Sequence, residues 1–135
     1  MRFKLIYTFY FFKPVPSLFK RLLKKNRKVF ALNACISPEK KPIIAKFNAF
    51  GALSGIDSKM SEKHKKLIDK ESLIKKEKME TFYIPCFPLK TILLAINVTH
   101  VDYFSLDVEG AEYEILKSIN FNEIKIKTLT VEHNG

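Results

Sequence analysis

Val101-Asp102-Tyr103-Phe104-Ser105-Leu106-Asp107-Val108-Glu109-Gly110-Ala111-Glu112 is the stretch whose reading decides the fold. Tyr103, Phe104, Leu106 and Val108 make a short, β-prone apolar run. Such a run fits a strand of a parallel sheet, buried on both faces. Gly110 interrupts it, and from Ala111 the apolar residues Ala111, Ile115, Leu116 and Ile119 recur at helical spacing. Glu109, Glu112 and Glu114 fall in the first turn and Lys117 near the end, the signs that a helix dipole favours. Thr128-Leu129-Thr130-Val131-Glu132 then reads as a second strand. Strand, helix and strand in this order predict a βαβ unit with a right-handed crossover and parallel strands.

The acids in this stretch have two readings. In open α/β sheets, ligands bind beyond the carboxyl ends of the strands. Asp107 and Glu109 flank such an end, so each either faces a site or caps the helix. Glu112 and Glu114 read as solvated first-turn residues, and Asp102 as a surface turn residue.

The chain has 135 residues, enough for one domain with a core. With 47% hydrophobic and 28% charged residues, it is globular rather than disordered. The net charge of +10 is uneven: residues 1–80 carry 20 Lys/Arg against 7 Asp/Glu, residues 81–135 only 4 against 7. A basic half suits a polyanion or an anionic membrane surface. No RNP-like motif, zinc finger or basic-leucine pattern accompanies it, so no nucleic acid is expected. The region Lys59 to Lys78 alternates in sign and reads as a solvated helix or a charged insertion at about 57–80.

Other features narrow the choice further. Leu5 to Phe12 is shorter than the about 20 apolar residues of a membrane span, and Lys13-Pro14 ends it without a small-residue cleavage site. No signal peptide or transmembrane helix is therefore read, the compartment is left open, and Met1 to Phe12 is taken as a core strand. Cys35 and Cys86 both read as buried strand residues, with a disulfide between them an open question. No Cys/His pair has zinc spacing, so no metal ligands are assigned. His64 is expected to be exposed, His100 to lie in a loop and His133 to be a candidate for the crevice.

Along the rest of the chain, Ser17 is placed as the cap of a helix whose apolar face is Leu18, Phe19, Leu22 and Leu23. Val29 to Ile36 reads as one buried strand broken by Ser37-Pro38. Ile43 to Phe50 is an added strand, and Gly51 to Ser58 a loop without GxGxxG order or a Walker lysine. Phe82 to Phe87 is a short or edge strand, because Pro85 argues against a central one. Pro88 opens a helix over Leu89 to Ala95 that ends near Asn97. The alternation predicts a doubly wound α/β sheet.

Four blocks in order carry a resemblance to the FkbM-type methyltransferase family, most closely to its animal, especially invertebrate, branch. They are Phe11 to Phe19, Arg27 to Ser37 with its Asn33-Ala34-Cys35-Ile36-Ser37, Phe87 to Ile92, and the Ser105-Leu106-Asp107-Val108-Glu109-Gly110-Ala111-Glu112 block followed by Val131-Glu132-His133-Asn134. The resemblance covers nearly the whole chain. It implies a Rossmann-like class I methyltransferase fold, mostly parallel with flanking helices. It also implies S-adenosylmethionine as cofactor and methyl transfer to a hydroxyl of a small molecule or glycan. By resemblance, Asn33, Ala34 and Ser37 lie on the adenine side of the cofactor. Asp107 and Glu109 border the crevice, where a carboxylate serves as general base or helps hold a metal.

Two departures stand out. The family's first strand and glycine loop would lie before Met1, and its ribose-binding acid is Lys13 here, which cannot accept a hydrogen bond. The chain is accordingly read as a partial domain, residues 1–135, whose sheet lacks a central strand. The resemblance places any membrane anchor in an amino-terminal segment outside this sequence. The alternative function is a non-catalytic family member acting in protein interaction or membrane trafficking.

Overall fold

The computed structural model describes residues 8–132. Part of the strand expected over Met1 to Phe12, and His133, lie outside that range. Two compact units divide the chain, Met1–Cys35 and Ile36–Gly135.

In the first unit, β1 (Tyr10–Phe12) pairs in parallel with β2 (Phe30–Leu32), Phe11 opposite Ala31. Helix α1 (Pro16–Leu23) connects them. The sequence places Ser17 at its cap. The structure instead puts Val15 there, with Pro16 in the first turn. Proline suits that position because its missing N–H would have no partner anyway. Val29 to Ile36 is not one buried strand either. β2 stops at Leu32, β3 (Cys35–Ile36) belongs to another sheet, and Phe30 is exposed. Asn33 makes the break, its side-chain amide donating to the carbonyls of Lys13 (2.7 Å) and Pro14 (3.0 Å).

The second unit carries a four-stranded sheet in the order β3, β6 (Glu80–Phe87), β4 (Ile43–Ala49), β5 (Gly55–Ile56). β4 runs antiparallel to both of its neighbours. Pro85 thus lies in an interior strand rather than an edge, which corrects the sequence reading. The reason is local. The Phe87 carbonyl points to Ser37 N–H (2.8 Å), away from β4. Pro85, two residues earlier, turns the same way, so its missing N–H removes no rung to β4. Buried Asn48 locks this sheet: its amide donates to Asp57 Oδ1 (2.6 Å) and its Oδ1 accepts from the Thr81 hydroxyl (3.0 Å). The Asn48 bond is the main cause that holds the Asp57 carboxyl below its ordinary range.

The charged region from Lys59 to Lys78 contains helix α2 (Glu62–Lys75), capped by the Ser61 hydroxyl, which accepts from His64 N–H (3.1 Å). Its one buried aliphatic, Ile68, packs with Phe50 and Met60, and Leu53 covers them. Helix α3 (Leu89–Ala95) follows Pro88 as the sequence predicts, and Asn97 at φ +55° closes it.

The deciding stretch folds as the strand, helix and strand expected, except that His100 and Asp102, read as loop and turn residues, lie within the first strand. β7 (His100–Leu106) and β8 (Lys125–Val131) pair in parallel around α4 (Glu112–Ser118). β7 is buried on one face, not two: Phe104 and Leu106 are buried, while Tyr103 and Ser105 on the other face are exposed, and β8 has no buried residue. Among the described residues the architecture is mixed α/β with small sheets, two of them parallel pairs.

Candidate functional site

The carboxyl ends of β7 and β8 lie side by side because the strands are parallel and in register, Leu106 opposite Val131. The ladder continues one step, from Glu132 N–H to the Leu106 carbonyl (2.9 Å). Asp107 and Glu132, each the first residue past its strand, are thereby brought together. Glu109 joins them from the following turn. One oxygen from each of Asp107, Glu109 and Glu132 can be chosen so that all three lie within 4.8 Å of one another.

The turn that delivers Glu109 is tightly specified. Glu109 is a non-glycine residue at φ +55° and Gly110 follows at φ +112°. A Cβ on Gly110 would stand 2.6 Å from the Lys59 carbonyl oxygen, so only glycine fits there. Gly55 is the second close approach: a Cβ there would come 3.2 Å from both Cβ and carbonyl oxygen of Glu109. The Glu112 carboxylate reaches back to accept from Val108 N–H and Gly110 N–H, both at 2.9 Å. Glu112 is therefore the cap of this turn, not the solvated residue that the sequence suggests. Glu114 does face solvent in part, paired with Lys59 at 3.4 Å.

Glu109 is buried, and the histidine beside it is partly buried. His64 Nε2 lies 3.0 Å from the Leu53 carbonyl, and its Nδ1 lies 3.6 Å from Glu109 Oε2. A carbonyl only accepts, so Nε2 carries a proton and Nδ1 is the atom presented to the carboxylate. The sequence reading makes His64 exposed. The structure leaves its side chain 11% exposed, because α2 folds over the turn. Helix α2 thus contributes a residue to the site.

Electrostatics follow from crowding three acids. The hydrogen bond and the charge of Asp107 come first, then desolvation and the charges of Glu109 and Glu112. Together they push Glu132 up to about 7. A carboxyl that titrates near neutrality can take or give a proton at working pH. The same three oxygens also suit a hard divalent cation such as magnesium or calcium, where the sequence alone assigns no metal ligands.

The other residues singled out by resemblance are placed differently. Ala34 and Ser37 are buried, at 1% and 0% exposure. The Ser37 hydroxyl donates to the Lys41 carbonyl (2.9 Å) and accepts from Glu39 N–H (3.1 Å), which closes a local turn. Asn33 spends its amide on Lys13 and Pro14. Side chains at Asn33 and Ser37 are thus engaged within the chain, and the acid cluster is the part that suits a cofactor carrying positive charge. Glu132 and His64 are the site residues that sequence reasoning missed. Glu132 was legible in principle, since parallel pairing puts the first residue after each strand at the same end. His64 was not, since its place depends on a contact 45 residues away in sequence.

Neither cysteine is a free thiol; both are disulfide-bonded. Among the described residues, no helix is long and apolar enough to cross a membrane.

No curated protein and no solved structure matches the chain. The model of the methyltransferase FkbM domain matches residues 4–135, and the chain belongs to that family.

Proposed function

We propose that this chain is an S-adenosylmethionine-dependent O-methyltransferase domain whose acceptor is a hydroxyl of a small molecule or glycan. The observation that carries the reading is the meeting of Asp107, Glu109 and Glu132 at the carboxyl ends of two parallel strands. Ligands of open α/β folds bind at such ends. S-adenosylmethionine, when bound, supplies an electrophilic methyl group.

This chain's own residues then have separable tasks. Glu132, held by Asp107 and titrating at about 7, takes the proton of the acceptor hydroxyl. Glu109, fixed by the positive-φ turn and lying beside His64, presents a negative wall to a cationic ligand. Glu112 keeps the turn closed through its two backbone hydrogen bonds. Asn33, Ala34 and Ser37 contribute backbone shape rather than side-chain bonds.

A second reading, a non-catalytic family member acting in protein interaction or membrane trafficking, is favoured by the internal engagement of Asn33 and Ser37. Titration calorimetry of S-adenosylmethionine into the 135-residue chain separates the two. Micromolar binding that weakens at least tenfold in Asp107→Asn supports the enzyme reading. A folded chain that takes up no cofactor refutes it and supports the second.

A further inference from the structure

The outward face of α2 has no role in the site. Lys63, Lys66, Leu67, Lys70, Leu73 and Ile74 recur at i, i+3, i+4, i+7 spacing, and all six are exposed. This is the face opposite Ile68 and His64, which turn inward. Leu73 is 81% and Ile74 70% exposed, and the exposed Lys76 and Lys78 follow directly. Between residues 59 and 78 there are eight lysines against four acids. Large aliphatics left in water at a helix end are costly unless something covers them.

We propose that this face docks peripherally on an anionic lipid bilayer. Leu73 and Ile74 enter the acyl boundary while Lys66, Lys70, Lys76 and Lys78 meet the headgroups. The charge decides that the surface is anionic, since each lysine near such a membrane strengthens binding about fivefold. The aliphatics decide that it is a bilayer rather than a nucleic acid. They offer no ring for a base to stack on, and no aromatic residue lies on α2. A second copy of the chain is disfavoured, because a two-fold contact sets lysines against lysines. The inference concerns a surface apart from the acid cluster and stands whether or not the domain methylates.

The test is co-sedimentation of the 135-residue chain with phosphatidylcholine vesicles, with and without about one-third phosphatidylserine. The wild-type chain is expected to partition onto the anionic vesicles and to be released as salt rises. Lys66→Gln with Lys70→Gln should weaken partition roughly thirtyfold. Leu73→Ser with Ile74→Ser should weaken it at least about tenfold. All four side chains are exposed, so these variants should melt as the wild type does. The chain has no tryptophan, so Leu73→Trp provides a single reporter, expected to shift blue on anionic vesicles only. Equal partition onto neutral vesicles, or partition unchanged in both double variants, overturns the proposal. So does tighter binding to a single-stranded oligonucleotide that ignores Leu73→Ser with Ile74→Ser, or a solution dimer that these substitutions dissociate.

Discussion

Gly110→Ala is the sharpest probe of how the site is built. Two costs add at this position. An alanine must adopt φ +112°, outside the regions open to L-residues, at about 1–3 kcal/mol. Its Cβ must also clear the Lys59 carbonyl oxygen from a starting distance of 2.6 Å. Ordinary carbon–oxygen contacts begin at about 3.3 Å. The obstacle is backbone, which cannot swing aside, so relief by overpacking costs about 1–3 kcal/mol more. A total of about 4 kcal/mol is expected, a large share of the roughly 5–15 kcal/mol of a typical domain. Gly51→Ala is the control. Gly51 has φ +56° with nothing within 4 Å of a new Cβ, so backbone strain of about 1–2 kcal/mol is its whole cost. Urea denaturation followed by circular dichroism should therefore separate the two variants by about 2–3 kcal/mol. If Gly110→Ala falls within about 0.5 kcal/mol of Gly51→Ala, the Lys59 contact does not constrain the turn and the account of Glu109's placement is wrong.

Three further outcomes are expected. The raised Glu132 carboxyl holds a proton in the folded chain that the unfolded chain releases, so stability is fullest below about pH 4.5 for this group and is lost as pH rises through about 7. Urea midpoints at pH 5 and pH 8 should show this slope in the wild type and lack it in Glu132→Gln; parallel slopes would count against the shared-proton geometry. His64→Ala removes a partly buried neighbour of Glu109 and the donor to the Leu53 carbonyl, at about 1–3 kcal/mol by the same urea assay. A loss below about 0.5 kcal/mol would mean that α2 does not hold Glu109. Thiol titration of the denatured chain should find no reactive cysteine before reduction and two after it; a free thiol in the unreduced chain would contradict the bonded state of Cys35 and Cys86.

The local elements of the site were written in the sequence. An apolar run, a glycine and a helical period from Tyr103 to Ile119 suffice for strand, turn and helix, because each depends on neighbours within a few residues. The parallel pairing of β7 and β8 followed from the length of the connection. The family was legible from four short blocks, and the match over residues 4–135 agrees. Asp107 and Glu109 could be placed at a strand's carboxyl end, although not distinguished from caps.

What only the tertiary structure decided is everything that joins distant segments. Sequence periodicity cannot say which of several first-turn acids turns back to cap, and Glu112 took that task through two backbone N–H groups. It cannot show that Pro85 turns away from its β4 partner and so survives inside a sheet. Nor can it show that β7 buries only one face, since that depends on what packs against it. Charge alternation from Lys59 to Lys78 reads as solvated helix, yet one histidine of that helix reaches Glu109. Residue types and spacing therefore determined the elements and the family. The acid cluster, the histidine beside it and the proton affinity of Glu132 came from the fold, because carboxylates distant in sequence perturb one another only when folding brings them within hydrogen-bonding reach.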